Sequence, residues 1–111
     1  MATLADLLKI NGVVAAGQFA ADGELVDFKA KMEMSREMTA MTAQFCATVT
    51  TMFNTLADGY ARMSKINWVP QRGWMYAGGD YTVAIWGNRG VFIETAKADF
   101  NKLFEVLVGP R

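Results

Sequence analysis

A chain of 111 residues falls in the size range of one domain and is long enough to bury a single core without cross-links. Eleven basic residues balance eleven acidic ones and 52% of the chain is hydrophobic, so there is no electrostatic footprint for nucleic acid. Histidine is absent and Cys46 is the single cysteine, which excludes an internal disulfide and a Ser/His or Cys/His nucleophile pair within one chain.

The donors left for zinc, Cys46 and carboxylates, are a poor set for a metal that favours Cys and His, and no metal or cofactor is expected. Uninterrupted apolar runs are a few residues long, far short of the ~20 that span a bilayer, so no membrane insertion is expected. The opening MATLADLLK has neither a basic n-region nor a long apolar h-region. With one unpaired cysteine, these features point to a cytoplasmic domain.

Thr3-Leu4-Ala5-Asp6 opens a short helix, with Thr3 as N-cap and Asp6 near the positive end of the helix dipole. It should stop at Asn11-Gly12, since Gly tolerates the left-handed conformation that ends helices. Val13 to Ala20 reads as a strand, Asp22-Gly23 as a tight turn, and Leu25 to Ala30 as the antiparallel partner. In that partner Leu25, Asp27 and Lys29 alternate with Val26 and Phe28, so one face is expected to be solvated. Ser35 caps a helix of about 30 residues from Arg36 to near Lys65, far beyond the usual three turns. Arg72 to Ala77, Tyr81 to Trp86 and Val91 to Thr95 read as three short strands, with Gly78-Gly79 and Gly87-Asn88-Arg89-Gly90 as the turns between them. These glycines run from strand to strand, not from strand to helix, which argues against a phosphate-binding loop. Phe100, Leu103, Phe104, Leu107 and Val108 form the stripe of a closing helix that ends at Gly109-Pro110. The order αββαβββα describes an α+β domain, one sheet with helices to cover its faces.

The long helix carries two seams at alternating spacings of three and four. Met38, Met41, Phe45, Val49, Met52, Leu56, Tyr60 and Met63 form a large apolar stripe, expected to lie on the sheet. Ala40, Ala43, Ala47, Thr50, Asn54, Ala57 and Ala61 form a small-residue stripe about 150° away, expected to face a second helix across a dimer interface. The methionines are read as core, not as soft-metal ligands, because they share a stripe with Phe45 and Val49. Cys46 lies beside the large stripe and is expected to be a small buried hydrophobe without a basic neighbour to activate it. Trp68, Trp74, Tyr76, Tyr81 and Trp86 divide between core or dimer packing and contact with a partner. Trp74 and Tyr76 are assigned to the dimer interface, and Trp68, Gln71 and Arg72 to partner binding. No acid/base pair of carboxylates is evident.

Leu7-Leu8-x-Ile10-x-Gly12-Val13-x-Ala15-Ala16, then Asp22-Gly23-x-Leu25-Val26, the long helix, Gly79-Asp80-Tyr81-Thr82-Val83, Gly87-Asn88-x-Gly90 and the closing helix follow one another in a recognisable order. In this the chain resembles the roadblock proteins, the family of the dynein light chain roadblock and its bacterial relatives. With Asn67-Trp68-Val69-Pro70 and Gly78-Gly79-Asp80 it is similar to a small bacterial group of roadblock-like domains without an assigned function. The resemblance implies a five-stranded antiparallel sheet, the long helix on one face and the two short helices on the other. It also implies dimerisation through the third strand and the long helix, and work as a scaffold or regulator of a small GTPase or within a cytoplasmic multi-subunit complex. It carries over no catalytic residue. The expected function is a non-catalytic homodimeric interaction module. The alternative is a small-molecule-binding or enzyme-accessory domain with an aromatic pocket near the third strand.

Overall fold

The structure, a computed structural model, describes residues 3–66 and 72–108. Helix α1 (Leu4–Leu8) starts at a capping box, in which the Asp6 N–H donates to the Thr3 hydroxyl at 3.1 Å and the Thr3 N–H donates to the Asp6 carboxylate at 3.0 Å. The bond from the Thr3 backbone is the main cause that holds the Asp6 carboxyl below its ordinary pKa. Strands β1 (Val13–Phe19) and β2 (Leu25–Ala30) pair antiparallel. At their turn Gly23 has φ +91° and is pressed against the long helix, where an added Cβ would come within 3.1 Å of the Gln44 Cα. Only glycine meets both demands.

Helix α2 (Arg36–Ser64) begins where the Met38 N–H donates to the Ser35 hydroxyl at 3.1 Å, and its C-cap, Lys65, is left-handed with φ 59°. Strands β3 (Gly73–Ala77), β4 (Tyr81–Trp86) and β5 (Arg89–Glu94) follow, then a 3₁₀ turn and helix α3 (Phe100–Val108). The Asp99 carboxylate accepts from the Lys102 N–H at 3.1 Å and starts α3. The five strands form one antiparallel sheet in the order β2-β1-β5-β4-β3, so β2 and β3 are its edges. The element order is the expected one. Boundaries moved where a turn was read too long: β5 starts at Arg89, leaving a Gly87-Asn88 turn and placing Gly90 inside a strand.

Two cores lie on the two faces of the sheet. One joins Leu4, Leu7, Val13, Ala16, Ala84, Val91, Ile93, Leu103 and Leu107 beneath α1 and α3. The other joins Phe19, Ala43, Cys46, Ala47 and Ile85, with Leu25, Trp74 and Val83 packed around them, beneath α2. The strand alternation expected for β2 is broken by a register shift between Gln18 and Phe19. Leu25 and Phe28, three residues apart, therefore both turn toward α2, while Val26 is exposed.

The orientation of α2 reverses the sequence expectation. Ala43 and Ala47 are 4% and 7% exposed against the sheet, and Ala57 is buried as well. Met52, Phe45 and Met63 on the large stripe are 65%, 64% and 84% exposed. The expected core methionines Met38 and Met41 are exposed too. Periodicity located both seams and assigned them the wrong way round. The sheet face already supplies bulk through Phe19, Val83, Ile85 and Trp74, so the helix brings small side chains to meet it.

Ala47 is buried against the sheet and, unlike Ala43, does not line the cavity beneath α2. Replacing Ala47 by Leu should lower stability by about 1–3 kcal/mol through overpacking, read as a fall in the urea midpoint at unchanged slope. An unchanged midpoint would mean that Ala47 faces solvent.

Candidate functional site

The surface that stands out is the outer side of α2 together with the free edge of β3. Met38, Met41, Phe45, Met52, Leu56, Tyr60 and Met63 are all exposed along one helix. A soluble monomer rarely shows so continuous an apolar strip. The strip is longer than the sheet beneath it: 29 residues make a helix of roughly 43 Å, whereas five strands span only ~19 Å between their outer axes. The first turns of α2 lie over β1, β2 and β5, and Thr50 and Phe53 reach Trp74 on the edge strand β3. After Phe53, Ala57 is the one buried residue among the described residues of the helix.

The two sheet edges differ in charge. Strand β2 exposes Asp27 and Lys29, which discourage pairing with another strand. Strand β3, Gly-Trp-Met-Tyr-Ala, has no charged residue, and Met75 and Tyr76 are exposed. Trp74 is half-buried, its Nε1–H donating to the Thr50 hydroxyl at 3.1 Å and its ring centroid 6.1 Å from that of Phe53. These two contacts hold α2 over the last strand of the sheet.

The sequence-derived interface residues are therefore dispersed. Ala43, Ala47 and Ala57 are buried inside the subunit and cannot meet a partner there; Thr50 is half-buried and already engaged by Trp74. Ala40 and Asn54 are exposed, but on the margins of a helix whose outward side is the large stripe. Tyr76, 64% exposed, remains a surface residue of the β3 edge. Arg72 is exposed, and its carbonyl accepts from the Gly87 N–H at 2.7 Å. Trp68 and Gln71 lie outside the described residues.

Among the described residues the remaining aromatics lie on different faces of the sheet and line no common cavity with Trp74. Trp86 packs on the opposite face of the sheet, its ring edge-on to Phe104 at 6.3 Å. A cavity does exist, but under the first half of α2, and none of Trp74, Tyr76, Tyr81 and Trp86 lines it. Sequence reasoning missed two residues that shape this cavity, Gly17 and Gly90. Their signal was a glycine at a strand position, which often marks a place where something approaches the backbone closely. It also missed Arg89, read as a turn residue. Arg89 is buried, and its Nη2 donates to the Leu107 carbonyl at 3.3 Å, at the negative end of α3. Among the described residues no three His, Cys, Asp or Glu side chains cluster in a way that could hold a metal ion, and no helix is long and apolar enough to cross a membrane.

Residues 3–108 match the family DUF2173, described as an uncharacterized conserved protein. The chain belongs to that family. No curated protein matches its sequence. Solved structures share its fold. The Roadblock/LC7 domain from Streptomyces avermitilis aligns over 95% of this chain and 85% of its own, with TM-score 0.73 and 10% identity. The gliding protein MglB from Thermus thermophilus aligns over 91% and 74%, with TM-score 0.74 and 11% identity. Myxococcus xanthus MglB aligns over 92% and 79%, with TM-score 0.66 and 14% identity. At such identities the likeness establishes the fold, which is roadblock-like, as the sequence resemblance implied.

Cys46 is buried as expected, on the sheet-facing side of α2, and burial pushes its thiol up to about 11. An unfolded thiol ionises near pH ~8.5. The folded pKa is the higher one, so this contribution to stability is whole below the unfolded value and is lost as pH rises toward 11. Replacing Cys46 by Ala should flatten the fall in stability over that alkaline window. In the native wild type, iodoacetamide should modify Cys46 at pH 8 at least tenfold more slowly than in denatured chain. Equal rates would show the thiol to be open to solvent.

Proposed function

We propose that the protein is a non-catalytic, homodimeric interaction module that works in the cytoplasm as a scaffold or regulator. The observation that carries this reading is the uncharged strip from Met38 to Met63 running on past an uncharged, open β3 edge. A second copy related by a two-fold axis meets both needs at once. Its β3 extends the sheet, and its α2 covers the large stripe, so that each helix end lies over the neighbour's sheet. The charged β2 edge, with Asp27 and Lys29, leaves β3 as the favoured side for pairing. The interface is thus proposed to centre on Phe45, Met52, Leu56, Tyr60 and Tyr76, in place of the alanine seam.

The roadblock-like fold favours a small GTPase or a cytoplasmic multi-subunit complex as the further partner, bound on surfaces that the dimer leaves open. Regulation of this kind works through the shape of an interface and needs no reacting side chain. The absence of histidine accords with that.

Sedimentation at micromolar concentration should show a dimer. Replacing Phe45 and Met52 by Asp should give a folded monomer, each change weakening association by about thirtyfold or more if these side chains are anchors worth about 2 kcal/mol. A tagged pull-down from native cytosol should recover a GTPase or a defined complex with the wild type and lose it with the monomeric variant. A wild type that stays monomeric in the same concentration range refutes the reading.

A further inference from the structure

Gly17 in β1 and Gly90 in β5 are direct cross-strand partners in the floor beneath α2. Above them the helix brings Ala43 and Cys46, flanked by Thr39 and Thr42. Small residues on both sides leave a cavity of about 40 Å³ between the first half of α2 and strands β1, β2 and β5. Its walls are apolar, formed chiefly by Phe19, Phe28, Val83, Ile85 and Phe92. The glycines maintain that space. A Cβ on Gly90 would collide with the Ile85 side chain, and one on Gly17 would lie 3.4 Å from the Phe28 ring.

The polar atoms at the cavity are committed elsewhere. The Thr39 hydroxyl donates to the Arg36 carbonyl at 2.9 Å, and the Thr42 hydroxyl donates to the Met38 carbonyl at 2.8 Å. Gln18 alternates away from Gly17 along β1. No Lys, Arg, Asp or Glu lines the space, so it can neutralise no charge. The space is partly open to solvent, but a water held in it would lack the two to four polar partners that fix one in place, whereas apolar guests suit such a lining. On the scale where one water takes about 10–15 Å³, the space holds about three waters, or roughly three to four carbons. Phe28 and Thr42, both half-buried, lie on the route to solvent.

We propose that this cavity is a binding site for a small apolar group, a short unbranched alkyl of about three to four carbons, entering between α2 and β2. The same chemistry is presented by a free hydrocarbon-like molecule and by the end of an acyl chain. The site lies on the opposite side of α2 from the exposed stripe, so it stands apart from the dimer reading.

The test is methyl NMR on the full chain, titrated with n-butane and, in a separate sample, with decanoate. Shifts should be confined to Ala15, Ala43, Val83 and Ile85, with Leu103 and Leu107 on the far face of the sheet unmoved. Butane alone would identify a free small ligand; decanoate as well would identify a chain end. Ala43→Leu, which fills the space, should abolish the shifts without lowering the melting temperature, unlike Leu at position 47. Thr42→Met fills it from the rim and serves if the first variant does not fold. The proposal is overturned if neither compound shifts the cavity methyls, if both faces shift alike, or if the filled variants bind undiminished. Sedimentation of the same samples reports the oligomeric state separately.

Discussion

The close approach of α2 to the sheet governs this structure. Ala43, Cys46 and Ala47 let the helix settle between Phe19, Val83, Ile85 and Trp74, and the Trp74–Thr50 hydrogen bond marks where it crosses the last strand. Once the small seam is spent on that contact, the large seam has nowhere to go within one subunit. The exposed strip is thus a geometric consequence of intramolecular packing. A helix with large residues on both sides could not lie so near the strands, and one with small residues on both sides would leave nothing to recruit a neighbour.

Charge then decides which edge is available. A five-stranded open sheet has two edges, and each presents unpaired backbone groups able to template another strand. Asp27 and Lys29 blunt one of them, while β3 remains bare of charge. The strip on α2 continues past that bare edge. One distribution of side chains thus blunts the β2 edge and leaves the β3 edge, beside the strip, open to the second copy proposed above.

The cavity is the counterpart of this arrangement. A seam of small residues laid over a sheet with glycines at Gly17 and Gly90 cannot fill space evenly, and interiors are otherwise packed with few such voids. On the other face, where α1 and α3 bring Leu7, Leu103 and Leu107 down on Ala16 and Ala84, large meets small and the packing closes. The difference between the two faces lies in how large and small side chains are paired.

Local signals were enough for the order of elements. Thr3, Ser35 and Asp99 start helices because their side-chain oxygens accept the first free N–H groups, and Asp22-Gly23 turns the chain because glycine adopts a positive φ. Of these positions Asp22-Gly23 also carries the roadblock resemblance, so the roadblock-like fold could be read from the chain directly. Arg89 and Gly90 were lost to a turn because glycine and asparagine nearby give the same local signal whether the turn has two residues or four. The sequence by itself determined the elements, their order and the presence of two seams on α2. Only the tertiary structure decided which seam is buried, since a helical period is the same for both and the choice depends on the bulk of the strands it meets. The pairing of Gly17 with Gly90, 73 positions apart in the chain, likewise exists only once β1 lies beside β5.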